Sequence, residues 1–169
     1  LANRIKDFLL EEKCSSIGDF GCGPGWYTNV LNSNNIICDG HDANPKTYDL
    51  VKKYNYKGNF FISDLTIPLN LEKKYEWIVC LEVGEHIPEK FEEILIQNLH
   101  NNCTKGVILS WAIEGQKGPG HVNCKNNDYI KNKFKNLNFQ NDIIIENELR
   151  KSVSDCAFWF RNTIMVFRK

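Results

Sequence analysis

The sequence predicts an α/β domain built on a mostly parallel sheet with helices on both faces. Two observations predict it. Short apolar runs alternate with segments of helical periodicity along the whole chain, the pattern of strands buried on both sides and joined by crossover helices. The first apolar run, residues 17–20, leads into three glycines at alternating positions and then a helical stretch. Such a strand–turn–helix unit opens a ligand crevice at the carboxyl end of a strand. No repeat, linker or low-complexity segment divides the chain beyond a richness in Asn, Lys and Ile. Residues 1–169 therefore read as a single domain.

Each element has its own signal. Leu1, Ile5, Phe8 and Leu9 fall at helical spacing and predict an amphipathic helix over residues 2–13, broken by Ser15 and Ser16. After the first strand and the glycines, a helix over 26–32 stops in the Asn-rich residues 32–35. Residues 36–38 open a second strand that finishes near His41 and Asp42, and Pro45 stands at the favoured first position of a helix running to about Tyr54. Phe60, Phe61 and Ile62 form the third strand; Pro68 and Asn70 mark a loop. Residues 77–81 are a continuous apolar strand. Pro88 opens a helix with Phe91, Leu95 and Leu99 on one face and Glu89, Glu92 and Glu93 on a solvated one, where acids suit the helix dipole. Residues 107–109 are the fifth strand and 112–125 a glycine-bearing loop. Ile130, Phe134 and Leu137 predict a helix capped by Asn126 or Asn127. Ile143, Ile144 and Ile145 read as a sixth strand, and residues 163–167 as a seventh. The last two strands lack a full helical crossover, which fits an antiparallel pair.

Composition excludes several classes. Lys plus Arg equals Asp plus Glu at 21 each, so no general charge draws the chain to nucleic acid or an anionic membrane. The seven cysteines are odd in number and never fall in a C-x-x-C pair, so neither a disulfide framework nor a zinc site is expected. Reduced thiols in a cytoplasmic setting are the simplest reading. No apolar run approaches the roughly 20 residues of a membrane span. The N-terminus mixes Arg4, Lys6, Asp7, Glu11 and Glu12 with its apolar residues, unlike a signal peptide. The chain begins at Leu1 rather than Met, so a preceding segment is kept in view. Oligomeric state is not legible.

Asp19 is followed by Gly21, Gly23 and Gly25, with Pro24 where a helix could start. Glycines let backbone N–H groups approach a ligand, and a helix start favours a negative group. A dinucleotide fingerprint needs Gly-x-Gly-x-x-Gly, which would put the third glycine at Trp26. An acidic residue before Gly-x-Gly-x-Gly instead resembles motif I of the class I S-adenosylmethionine (AdoMet) methyltransferases. The resemblance covers residues 15–169. It implies a doubly wound, mostly parallel seven-stranded sheet with an antiparallel C-terminal strand, and AdoMet as cofactor. It places cofactor-binding residues at Asp19, Gly21, Cys22, Gly23, Gly25 and Trp26 around the turn. Asp42 and Ala43, about 20 residues on, would hold the ribose. Asp64 and Leu65 would meet the adenine, and Leu81 and Glu82 the methionine end.

Glu82-Val83-Gly84-Glu85-His86 is similar to the Glu-Val-x-Glu-His segment of class I enzymes with small or varied acceptors. It is not Asn/Asp-Pro-Pro-Tyr, so methylation of a nucleobase amino group is disfavoured. Ser110-Trp111-Ala112, followed by Gly118-Pro119-Gly120-His121-Val122-Asn123, resembles a Ser-Trp-Ala-x-Pro-Gly-Gln-Gly-Gly-x-Gly-His-x-Asn loop of a less characterised methyltransferase group. Glu114 replaces its proline and Lys117 interrupts its glycines. His121, on the acceptor side, is the first candidate base and His86 the second; His41 and His100 read as structural or exposed.

The reading is AdoMet-dependent methyl transfer to an unidentified small-molecule acceptor, with no metal required. One rival is another AdoMet-type transfer, such as aminopropyl transfer, with Glu82 and Glu85 holding an amine. A second is an AdoMet-binding module without transfer activity. A third, an NAD-binding domain, is disfavoured by the glycine spacing.

Overall fold

Successive side chains of a strand point to opposite sheet faces, and here that alternation builds two cores. The computed structural model describes residues 1–33, 35–54 and 56–169. Its strands are β1 (Ser16–Phe20), β2 (Ile37–Asp42), β3 (Phe60–Ile62), β4 (Tyr75–Cys80), β5 (Cys103–Ser110), β6 (Gln140–Asn141) and β7 (Ile164–Arg168). They form one sheet in the order β3-β2-β1-β4-β5-β7-β6. The first five are parallel, and β7 runs antiparallel to both β5 and β6. The helices are α1 (Ala2–Glu11), α2 (Trp26–Leu31), α3 (Thr47–Tyr54), α4 (Glu92–Asn102), α5 (Asn127–Asn136), α6 (Ile143–Lys151) and α7 (Phe160–Thr163).

Ile78, Cys80, Val107, Leu109, Met165 and Phe167 point to one face and pack with Leu95 and Leu99 of α4 and Ile130 and Phe134 of α5. Trp77, Val79, Ile108, Ile164 and Val166 point to the other, against Ile5, Phe8 and Leu9 of α1, Leu31 of α2 and Leu149 of α6. Each fully buried side chain of this size contributes about 1.5–3 kcal/mol. The doubly wound sheet is thus sealed on both sides, with its carboxyl edge left open for the connecting loops.

The Ile143-Ile144-Ile145 strand is a correction: these residues start α6. Three β-branched residues favour a strand locally, but Asp142 caps the helix by accepting the Ile145 N–H at 3.1 Å. The side chains the helix buries are Glu146 and Leu149, three apart, while Ile143 and Ile144 are 49 % and 69 % exposed. The sixth strand is the two-residue β6 just ahead. The antiparallel end also differs in its connection, because α6 and α7 intervene between β6 and β7. Pro45 precedes α3 by a turn, and Pro88 caps a 3-10 turn at Glu89–Phe91 that leads into α4. Asn126 is the N-cap position of α5, but its amide donates to Glu114 instead of capping. Of the Asn-rich stop at residues 32–35, Asn34 lies outside the described residues.

Glu92 is a second correction. It is 3 % exposed rather than on a solvated face. Its carboxylate accepts from Asn123 Nδ2 at 3.0 Å and from the Tyr129 hydroxyl at 2.7 Å. One buried acid on α4 thereby anchors both the 112–125 loop and α5.

His41 sits inside the sheet edge, with Nδ1 2.9 Å from Ser63 Oγ and Nε2 2.8 Å from the Tyr75 hydroxyl. Burial holds its imidazole down to about 4, against the opposing pull of Asp39. Between pH 6.5 and that value the unfolded chain takes a proton that the fold refuses, so stability falls as pH drops through the window. His41→Gln should be less stable than wild type at pH 7.5. The gap should narrow by about 2 kcal/mol at pH 5, as read by urea denaturation at the two pH values.

Candidate active site

The strand order reverses between β1 and β4. Connections leave that point in opposite directions, and a crevice opens over the carboxyl ends of the two strands. Motif residues from four strand ends converge on it. Gly21, with φ 80°, turns the chain sharply, and a Cβ there would overlap the Val83 side chain. Gly25, with φ 82°, caps α2, and a Cβ there would lie 2.6 Å from the Phe60 ring. Gly23 by contrast faces open space, with nothing among the described residues within 4 Å of a Cβ position. The bare side of the turn is therefore the side available to a ligand.

Asp42 ties the turn to the second strand. Its Oδ2 accepts the Gly23 N–H at 2.8 Å and its Oδ1 the Asn44 N–H at 2.8 Å. Each carboxylate oxygen has a further acceptor site, so the group can still receive hydroxyls. A cavity of about 410 Å³ beside this carboxylate is lined by Gly21, Gly23, Ala43, Asp64, Leu65 and Glu82, and also by His86. Asp64 also stabilises its own turn by accepting from the amide and hydroxyl of Thr66, which hold its carboxyl below the usual range.

The other expected cofactor residues lie outside that cavity. Asp19 is buried behind the turn, where its Oδ2 accepts the Thr28 hydroxyl at 2.7 Å. The negative group that the start of α2 favours is thus the chain's own. Cys22 packs with Val51 and Phe60. Trp26 is 50 % exposed, edge-on to Tyr27. Leu81 packs against the core layer that includes α1 and α2.

On the acceptor side the two later motifs pack on one another. Gly84 lies flat on the Trp111 indole, which leaves no room for a side chain. Trp111 Nε1 donates to the Asn123 carbonyl at 2.6 Å, and the Val122 and Asn123 amides donate to the Glu85 carbonyl at 2.8 and 3.0 Å. The loop is clamped around the Glu82–His86 segment. A second cavity, of about 690 Å³, lies under it, lined among others by Glu82, Gly115, His121, Phe158 and Asn162. The His86 and His121 rings meet edge to face with centroids 5.1 Å apart. Glu82 lines both cavities. It has a left-handed backbone (φ 55°), and its amide donates to Ser110 Oγ at 2.7 Å while that hydroxyl donates to its Oε1 at 2.8 Å. Burial, then the neighbouring Glu85 carboxylate, pushes the Glu82 carboxyl up to about 7. Ser110, Asn123 and Glu92 were not expected at the site. Only the neighbouring Ser-Trp-Ala and Gly-His-x-Asn patterns pointed toward them.

No protein-family model matches the chain. Two curated relatives, both ubiquinone biosynthesis O-methyltransferases from strains of Rickettsia bellii, are each 26 % identical over 121 residues, covering 69 % of this chain and 50 % of theirs. The chain spans about half the length of these curated relatives. Among solved structures, the magnesium protoporphyrin IX methyltransferase of Synechocystis PCC 6803 with bound AdoMet superposes over 99 % of this chain and 77 % of its own, with TM-score 0.74 and 19 % identity. An AdoMet-dependent methyltransferase from Clostridium acetobutylicum superposes over 99 % of this chain and 89 % of its own, with TM-score 0.73 and 12 % identity. The chain has the class I AdoMet-dependent methyltransferase fold. The relatives and structural neighbours are methyltransferases, and the Synechocystis enzyme was also crystallised with the demethylated product. Among the described residues, no helix is long and apolar enough to cross a membrane.

Burial pushes the Asp19 carboxyl up to about 6, although Thr28 favours its ionised form. The fold therefore holds a proton that the unfolded chain releases near pH 4, and stability falls as pH rises from about 4 to 6. Asp19→Asn should remove that fall and be more stable than wild type above pH 6, by about 1–3 kcal/mol. Thermal denaturation of both proteins from pH 4.5 to 8 checks it.

Proposed function

We propose that residues 1–169 form a single AdoMet-dependent methyltransferase domain acting on a small-molecule acceptor. The observation that carries the reading is the crevice at the strand-order reversal, where Gly23 leaves an open face beside a carboxylate with spare acceptor capacity. In this reading Asp42 accepts the ribose hydroxyls and Ala43 packs beside them. Asp64 and Leu65 hold the adenine. Gly21, Gly23 and Glu82 frame the methionine end, while Asp19, Cys22, Gly25, Trp26 and Leu81 shape the turn and strand ends from behind. AdoMet supplies a methyl group on a sulfonium, already activated toward a nucleophile. The protein's task is to bind, align and exclude water.

His121 and His86 are the groups placed to take a proton from an acceptor. His121 Nδ1 lies 3.0 Å from the Gln116 carbonyl and His86 Nδ1 lies 3.1 Å from the Gly120 carbonyl. A carbonyl only accepts, so each Nδ1 carries the hydrogen and each Nε2 keeps the lone pair. The similarity to a ubiquinone biosynthesis O-methyltransferase and to the structure of a magnesium protoporphyrin IX methyltransferase supports a small acceptor.

Calorimetry should show AdoMet and its demethylated product binding in the micromolar range and no comparable binding of NAD. Tighter binding of NAD would overturn the reading. Hydrogen bonds to a charged group are worth roughly 1.5–3 kcal/mol each, so Asp42→Ala should weaken AdoMet at least about tenfold. In a methyl-transfer assay, His121→Ala should slow the reaction by about 10²–10⁴-fold while AdoMet affinity stays within about twofold. AdoMet binding without transfer to any of a panel of small acceptors would favour a non-catalytic module.

A further inference from the structure

Glu85 is fully buried, and neither of its carboxylate oxygens has a hydrogen-bond partner among the described residues. An unpaired carboxylate in such a place is strongly unfavourable. It does not face an apolar wall. One ligand-capable atom each of Glu85, His86 and His121 lies within 4.8 Å of the others. Two ligand atoms of a tetrahedral site, at bonds of about 2.1 Å, stand about 3.4 Å apart. A shift of under about 1 Å in each side chain brings the three atoms to one ion. Both imidazoles are already oriented as metal ligands usually are, with Nδ1 at a backbone carbonyl, Gln116 for His121 and Gly120 for His86.

We propose that Glu85, His86 and His121 bind one divalent first-row transition cation, with the neighbouring Glu82 as a further oxygen donor. Two imidazoles with carboxylates are a nitrogen–oxygen set that suits such ions over magnesium or calcium. The expectation of no metal rested on cofactor chemistry and on the cysteine spacing; the cluster is assembled only in three dimensions. A cation there would offset the like charges of two neighbouring, largely buried carboxylates, Glu82 and Glu85. Glu82 lines both cavities, His86 the crevice and His121 the larger cavity, so the ion would sit where the two meet. On the methyltransferase reading, and only on it, the ion would take over the base role from the two imidazoles, whose Nε2 lone pairs it occupies, by holding an acceptor oxygen and easing loss of its proton.

The test is a titration of the purified, chelator-treated protein with Mn²⁺, followed by the electron paramagnetic resonance signal of free Mn²⁺. Manganese is chosen because it discriminates against the chain's thiols. One ion per chain is expected, retained against an equal concentration of Mg²⁺. Glu85→Gln and His121→Ala should each weaken it at least about tenfold, with AdoMet affinity unchanged. Glu85→Gln should also raise the thermal midpoint of the metal-free protein while abolishing the rise that Mn²⁺ gives wild type. A purely structural Glu85 would not couple those two effects. Absence of stoichiometric Mn²⁺ binding to wild type, or equal binding by both variants, would overturn the proposal. Mn²⁺ binding without AdoMet binding would sustain the cation site and overturn the functional reading instead.

Discussion

The reversal of strand order at β1 and β4 is the constraint on which the rest of the molecule depends. β1 pairs with β2 on one side and β4 on the other, in parallel register through Asp19. Chain leaving β1 and chain leaving β4 must therefore cross to opposite sides, and nothing in the sheet fills the gap between them. The glycine turn, Asp42, the Asp64 turn and the Glu82–His86 segment all follow strands that end at this edge. Their meeting is a consequence of parallel pairing rather than of any contact between the motifs themselves.

A second level of organisation lies in the loop after β5. Glycine-bearing loops of this length are usually mobile, yet this one is fastened at its ends. The Trp111 indole occupies the space over Gly84, Asn123 is held by the buried Glu92, and the Glu85 carbonyl takes two amides from the loop. The stretch between, from Gly115 to Gly120, carries two left-handed glycines and borders the larger cavity. Rigid anchors thus flank a short adaptable segment. His86 and His121, far apart in the chain, are brought ring to ring by this fastening.

Buried ionisable groups mark where folding and site geometry compete. The Glu85 carboxylate is enclosed without a hydrogen-bond partner among the described residues, and Asp19 has Thr28 as its side-chain partner. Glu82 holds a left-handed backbone, uncommon outside glycine. Such features cost stability, and all three cluster around the same edge of the sheet. His41, by contrast, is buried with both ring nitrogens partnered, and its network closes the sheet edge.

The alternation of apolar runs and helical stretches was enough to specify a mostly parallel sheet, because burial on both faces demands continuous apolar strands. The glycine spacing after Asp19 was equally legible, since glycine takes the positive φ of Gly21 and Gly25 at least steric cost. Local signals failed where a neighbour outweighed propensity. Residues 143–145 are β-branched, yet Asp142 caps them into α6 and the helix buries Glu146 and Leu149. Glu92 looked solvent-facing because its partners, Asn123 and Tyr129, lie 31 and 37 residues away. What the sequence by itself determined was the layered architecture and the crevice with its glycine turn, both set by short-range sterics and periodicity. What only the tertiary structure decided was the company each polar group keeps. The union of Glu85, His86 and His121 depends on a loop folding back over Gly84, and pairing across that distance leaves no trace in local spacing.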